Sequence, residues 1–353
     1  MMKKFFALFL VSILMISALT ACGAKQKTGS TNQAETETSG TENKDKKLKI
    51  AFAFQDLETE FWVAAHKTII ETLTAQGIEV IERNANEDAN KQLEQVKDAI
   101  AQGADGIIVI PQDGESALTI IDEANKAGVP IAIFNRPPSN DSNNAIVVVA
   151  DNAVIAEAAV DHMVAEAQKK FEATGKKLTP LIMVGDLGDP NAIARKDGFY
   201  KAIQKNPDIF NDVIEVPTKW DGATALANLQ SAMQANPEVD FLYTCSDFMF
   251  PQIKAVLEPL GKWKKVGEEG HVIMGGLDGD STAGRLIDEG YVDSTGVQDL
   301  KFESEAAMNA ILKAIEAGEK TPKEWIQDPG FALTQANLTE KRMDMWGNQI
   351  REN

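Results

Sequence analysis

Along most of the chain, short apolar runs alternate with longer stretches in which hydrophobic positions recur every three or four residues. Residues 49–54 (KIAFAF) have strand character and lead into a helical stretch over 60–76 that Gly77 stops. A second strand is expected at 78–81, after which Leu93, Val96 and Ile100 fall at helical spacing until Gly103. The run 107–110 ends at Pro111 and opens a helix carrying Leu118, Ile121 and Ala124, closed by Gly128. Strands follow at 131–134 and 145–150. The rhythm then restarts, with strands expected at 181–184, 213–216, 241–244, 272–274 and 292–297. Helices are expected to start near Asn191, Gly222, Pro251 and Ser281, with a last one over 302–317. Near-continuous apolar strands separated by helices indicate parallel sheets covered on both faces. The expected fold class is therefore α/β, with two doubly wound parallel-sheet lobes. No fixed short period runs through the chain, so a solenoid is excluded.

The N-terminal 47 residues break this pattern. Lys3 and Lys4 precede an apolar stretch over 5–18, too short to span a bilayer comfortably, so residues 1–21 read as an export signal. It ends Leu19-Thr20-Ala21-Cys22, which resembles a bacterial lipobox. In that motif the Cys22 thiol receives the lipid that tethers the mature chain to a membrane without spanning it. Residues 22–47 are then a flexible stalk. From Gly23 to Lys47 there is no aromatic or branched aliphatic residue to offset the entropy of ordering. The second of the two cysteines, Cys245, is expected to be a small buried core residue.

Composition narrows the partners. With 53 acidic against 35 basic residues the net charge is −18, which argues against binding nucleic acid. Loss of residues 1–21 removes two lysines and makes the chain more acidic still.

In open α/β sheets, ligands sit beyond the carboxyl ends of the strands. The segments following the strands supply Glu58-Thr59-Glu60-Phe61-Trp62, Asn135-Arg136, Asp189-Pro190-Asn191 leading to Arg195, Lys219-Trp220-Asp221, Ser246-Asp247, Leu277-Asp278-Gly279, and Gln298. Asn191 and Arg195 lie four apart on one helix face. Trp62 and Trp220 can stack on the apolar face of a sugar ring, while Asp, Asn, Arg and Gln can each serve adjacent hydroxyls. A buried sugar needs nearly every hydroxyl paired, because an unmet polar group costs roughly 1–3 kcal/mol. Glu58 and Glu60, beside the stacking residues, either add acidic contacts to a ligand or face solvent at a helix start where the dipole favours them, and the second reading is preferred.

Over residues 48–336 the chain resembles the ribose/galactose-type (type I) periplasmic sugar-binding proteins of ABC transporters, in lipoprotein form. The resemblance is carried by Thr59-Glu60-Phe61-Trp62, Phe134-Asn135-Arg136, Val149-Ala150-Asp151-Asn152, Arg195-Lys196-Asp197-Gly198-Phe199, Ser246-Asp247, Gly276-Leu277-Asp278-Gly279 and Gln298. It implies two lobes joined by three hinge crossings that close on a monosaccharide and present it to a permease. The first lobe would comprise residues 48–150 plus 299–327, and the second 151–298 plus 328–353. Crossings would lie near Ala150-Asp151, Gly276-Asp278 and Gln298-Asp299. By the same resemblance Phe61, Trp62 and Trp220 stack on the ligand. Thr59, Asn135, Arg136, Asn191, Arg195, Ser246, Asp278 and Gln298 supply its polar contacts. Thr59 stands where ribose binders carry Asn, Asn135 where they carry Asp, and Ser246 where Asn is usual, so ribose itself is a poor fit.

Catalysis lacks its parts. His66, His162 and His271 are scattered, and no HExxH, CxxC or GxSxG pattern occurs. No cofactor, metal or enzymatic role is expected. The expected protein is a monomeric solute-binding lipoprotein on the extracytoplasmic face of the cell membrane, taking a monosaccharide or related polyol to an ABC permease for sugar transport. The alternative is a ligand-sensing co-receptor of the same fold, serving a membrane kinase or chemoreceptor and binding a sugar, cyclic polyol or furanosyl signal. A sugar-responsive repressor is excluded, since no helix-turn-helix precedes Leu48 and export separates the chain from DNA.

Overall fold

The computed structural model describes residues 47–352. The segments expected to be an export signal, a lipidation site at Cys22 and a stalk lie, up to residue 46, outside the described residues. The first eleven elements are β1 (Lys49–Phe54), α1 (Glu60–Ala75), β2 (Glu79–Asn84), α2 (Ala89–Ala101), β3 (Gly106–Val109), α3 (Gly114–Ala127), β4 (Ile131–Phe134), β5 (Ile146–Ala150), α4 (Asn152–Thr174), β6 (Pro180–Val184) and α5 (Pro190–Ile203). They are followed by β7 (Ile214–Pro217), α6 (Gly222–Ala235), β8 (Phe241–Thr244), α7 (Phe250–Leu257), β9 (Ile273–Asp278), α8 (Ser281–Asp288), β10 (Ser294–Val297), α9 (Leu300–Glu316), β11 (Glu324–Asp328), β12 (Phe331–Thr334), α10 (Leu338–Lys341) and α11 (Trp346–Glu352).

The strands form two six-stranded sheets, ordered β11-β5-β4-β3-β1-β2 and β12-β10-β9-β8-β6-β7. All pairs in the first are parallel. In the second, β12 alone runs antiparallel, pairing Thr295 with Leu333. Burial on both faces explains the unbroken apolar strands. In the first sheet Ile50, Phe52, Ile108 and Phe134 pack toward Ile69, Leu73 and Ile311, while Ala51, Ala53, Ile107 and Ile133 pack toward Val96, Ile120 and Ile121. Each such large aliphatic or aromatic side chain contributes roughly 1.5–3 kcal/mol by its burial. The architecture is two parallel-dominated α/β layers in one chain, as the resemblance implies.

The chain passes between the sheets three times, at residues 150–152, 297–300 and 328–331. After the first passage α4 packs on β9, β10 and β12 of the second sheet, and after the second α9 packs on β3, β4 and β5 of the first. One residue ties the passages together. The backbone carbonyl of Asp328 accepts from Asp151 N (2.8 Å), its Oδ2 from Asp299 N (2.6 Å) and its Oδ1 from Gly330 N (2.8 Å).

The expected crossing at Gly276-Asp278 is corrected here. Those residues lie inside β9, hydrogen-bonded between β8 and β10, and the third passage is the 328–331 segment instead. The glycines of β9 serve close packing rather than bending. A methyl at Gly276 would run into Asp247 Oδ1, and one at Gly275 into Met163 Sδ.

Candidate functional site

The carboxyl ends of both sheets open onto one cavity of about 880 Å³. Residues after β1, β2, β3 and β4 line it from one side, and residues at the ends of β6, β7, β8, β9 and β10 from the other. All eleven side chains expected at the site are on its wall: Thr59, Phe61, Trp62, Asn135, Arg136, Asn191, Arg195, Trp220, Ser246, Asp278 and Gln298.

Six polar side chains close into a ring that spans the two sheets. Asn135 Nδ2 donates to Gln298 Oε1 (2.9 Å), and Gln298 Nε2 donates to Asp278 Oδ1 (2.9 Å). Arg195 Nη1 lies 2.8 Å from that same Oδ1, and its Nε donates to Asn152 Oδ1 (2.7 Å). Asn152 Nδ2 donates to Asn191 Oδ1 (3.0 Å), and Asn191 Nδ2 returns to Asn135 Oδ1 (3.2 Å). All six are buried. The ring leaves its amides oriented by their partners, so the three that line the cavity, Asn135, Asn191 and Gln298, are held in fixed orientations there. Ser246 Oγ donates to Asp278 Oδ2.

Aromatic side chains stand on both sides of this floor. Phe61 meets Trp62 edge-on at 4.9 Å, and Trp220 stands 6.5 Å from Phe248. An arginine lies over each tryptophan, Arg136 at 5.8 Å from Trp62 and Arg195 at 5.7 Å from Trp220. Thr59 holds the first wall together: as the N-cap of α1, its hydroxyl accepts from Trp62 N (3.4 Å). Gly185 makes room on the second wall, since a methyl there would collide with the Trp220 indole.

Three further residues complete the site beyond those expected. Asp189 bridges the walls, its Oδ2 accepting from Trp220 Nε1 (3.2 Å) while pairing with Arg136 Nε (2.8 Å). Asn152, which lies in the quoted Val149–Asn152 motif, is a ring member. Glu303 accepts from Asn135 Nδ2 at 2.9 Å from behind the wall. Its signal in the sequence is a charge on the apolar stripe of Leu300, Ala307, Met308 and Ile311.

Backbone strain collects here. Among the described residues, six non-glycine positions have positive φ, and five of them line the cavity: Glu87 (61°), Asn135 (63°), Lys219 (55°), Trp220 (57°) and Asp278 (144°). Such conformations persist where surrounding contacts over-determine them, and they concentrate at functional sites.

The electrostatics are of two kinds. Below the floor, burial pushes the Asp247 carboxyl well up, and Asp280 and Asp278 add to the effect. Burial also raises Asp278, against the pull of Arg195 and Ser246, and takes Asp280 up to about 7. Cys245 is fully buried, its thiol pushed up to about 12, and its backbone carbonyl accepts from Arg195 Nη1 (2.7 Å). Toward the outside, Asp56, Glu58, Glu87, Asp113, Asp186 and Asp221 line the cavity together with Lys219, among the described residues the one lining cation not drawn into the two arginine–aspartate pairs of the wall.

The Periplasmic binding protein domain matches residues 50–320. The chain belongs to that family. Among curated relatives of this periplasmic binding protein, the ribose import binding protein of Bacillus subtilis is 25% identical over 317 residues, 88% of this chain and 92% of the relative. Two crystal structures share the fold. An ABC transporter solute-binding protein of Bacillus halodurans C-125 with bound myo-inositol is 24% identical, with a TM-score of 0.72 over 84% of this chain and 98% of the other. A periplasmic solute-binding protein of Actinobacillus succinogenes 130z with bound D-allose is 22% identical, with a TM-score of 0.73 over 83% and 99%.

Proposed function

We propose that this chain is an extracytoplasmic solute-binding lipoprotein that closes two lobes on a monosaccharide or cyclic polyol and delivers it to an ABC permease. The ring of six buried polar side chains between Trp62 and Trp220 carries the proposal: it offers oriented hydrogen bonds for hydroxyls between two aromatic faces. The lobes are residues 48–150 with 299–328 and residues 151–298 with 329–352, the third boundary standing one residue later than expected because Asp328 is still paired in β11, and they move about the crossings bound to Asp328. Phe61, Trp62 and Trp220 stack on the ring of the ligand. Asn135, Arg136, Asn191, Arg195, Ser246, Asp278 and Gln298 make its polar contacts, and Thr59 sets the Trp62 backbone. Anchoring through Cys22 holds the monomer at the membrane, with the stalk giving it reach to the permease.

Closure follows from differential affinity, because a ligand touching both walls binds only the closed form fully. The acidic mouth restricts the ligand's charge. A phosphorylated or carboxylated sugar would face the carboxylates of both lips, so the ligand is uncharged or carries an amine.

Thermal unfolding of the mature chain, unfolded and refolded to strip carried-over ligand, tests this against pentoses, hexoses, deoxysugars and inositols. A binder at 100 times its Kd adds about 2.7 kcal/mol and raises Tm. Ribose 5-phosphate and glucuronate should give no rise. Silence across all the pentoses, hexoses, deoxysugars and inositols would remove the sugar reading.

A further inference from the structure

We infer that Glu303 fixes what the cleft offers a ligand at position 135, by taking up a donor of the Asn135 amide and leaving its Oδ1 as a single uncharged acceptor. The inference deepens the sugar- or polyol-binding proposal and rests on it.

Glu303 lies in the first turn of α9 and is 0% exposed, between residues that pack into the core. A carboxyl group in such a place is costly unless bonded, and an apolar side chain would pack there at less expense. Its one hydrogen-bond partner among the described residues is Asn135, whose Nδ2 donates to Oε2, while Oε1 has none. Burial holds the group well above the usual carboxylate range, in keeping with an uncharged carboxyl whose carbonyl oxygen accepts the Asn135 proton.

The consequence falls on Asn135. Its amide has two N–H donors, one bound to Glu303 and the other to Gln298 Oε1, both at 2.9 Å. Neither is left for a ligand. Oδ1 receives Asn191 Nδ2 at 3.2 Å and keeps a second lone pair. A ligand group beside residue 135 must therefore donate. An aspartate in place of Asn135 would supply no proton to either neighbour, so it and Glu303 would be two buried carboxyl groups held together by a single shared proton, and Gln298 Oε1 would lose its donor. Glutamine in place of Glu303 would relieve that conflict by donating from its own amide. The backbone does not decide the matter, since the left-handed φ of 63° suits Asn and Asp alike.

The test is a double-substitution cycle on Asn135→Asp and Glu303→Gln, with Glu303→Leu alongside. It is read first as Tm without ligand, then as Kd for D-ribose, D-allose, myo-inositol and xylitol. The expected result is a sign reversal: Glu303→Gln is neutral or slightly lowers Tm in the parent protein, and raises Tm in the Asn135→Asp background. For whichever of the four compounds binds the parent protein, Asn135→Asp should weaken binding at least 100-fold, and adding Glu303→Gln should recover at least tenfold. Glu303→Leu should weaken it about tenfold where Glu303→Gln does not. Equal effects of Glu303→Gln in both backgrounds, in Tm or in Kd, would overturn the inference. If none of the four binds the parent, the sugar reading loses support while the ligand-free cycle still decides the pairing.

Discussion

On the second-sheet side of the cleft, Arg195 finds all its partners within its own half: Asn152 Oδ1, the Cys245 carbonyl and the Asp278 carboxylate. On the first-sheet side, Arg136 keeps the carbonyls of Pro111 and Gln112 but meets its counter-ion, Asp189, across the cleft. Asn135 likewise relies on Asn191 and Gln298. One wall is thus organised before the lobes meet, and the other is completed by their meeting. Preorganised groups strengthen binding by removing the cost of ordering them at that moment. Groups completed on closure report that closure has happened. The difference assigns affinity mainly to the second wall and the closing response mainly to the first.

The strongest way to break this comparison is Arg195→Ala set beside Arg136→Ala. Removing Arg195 leaves Asp278 buried without its cation, a loss of about 3–5 kcal/mol by the usual cost of orphaning a buried charge. Ligand-free Tm should fall sharply. Arg136→Ala should cost distinctly less in ligand-free Tm, because its counter-ion can reach water when the lobes part. Equal drops would abolish the asymmetry.

A smaller effect sharpens the picture of the second wall. Gly185→Ala puts a methyl where the Trp220 indole lies. The indole must move, so affinity for whichever sugar raises Tm should fall about tenfold, within the range of a lost aromatic contact. Tm without ligand should stay within a few degrees. An unchanged Kd, measured by calorimetry, would remove Trp220 as a stacking surface.

A further test concerns pH. Asp280 is raised to about 7 by burial, with Asp278 and Glu60 contributing. Between its unfolded value of about 4 and about 7 the folded state binds the extra proton. Its contribution to stability is therefore complete below about pH 4 and is lost as pH rises toward 7. Asp280→Asn keeps the cap on Ala283 N and should flatten that decline in Tm. A slope that does not change would assign the pH response to other groups.

Much of this was legible in the sequence because parallel strands buried on both faces write themselves as apolar runs, and because strand ends are where such folds place polar side chains. The 324–328 and 331–334 strands were not legible. The first is a largely exposed edge with no apolar run, and the second is a four-residue antiparallel addition. The site residues came from strand ends and motif order, and the cavity gathers them. Their mutual bonds could not be read, because whether Arg136 turns to its own sheet or to Asp189 depends on the approach of two lobes far apart in sequence. The same holds for Gly276. A glycine packed against a carboxylate and a glycine at a bend look alike until the neighbour is known.

Asp328 has a mechanical meaning. Three strands passing between two bodies could each twist on their own, which would let the lobes wobble, shear or close at one end only. Bonds from one residue to all three passages make the twist of any one a constraint on the others. The lobes are then a door on a single pin. A small molecule bridging the two walls at any point of the cleft would swing the whole face, and occupancy would be reported outside as one of two positions rather than as a gradation.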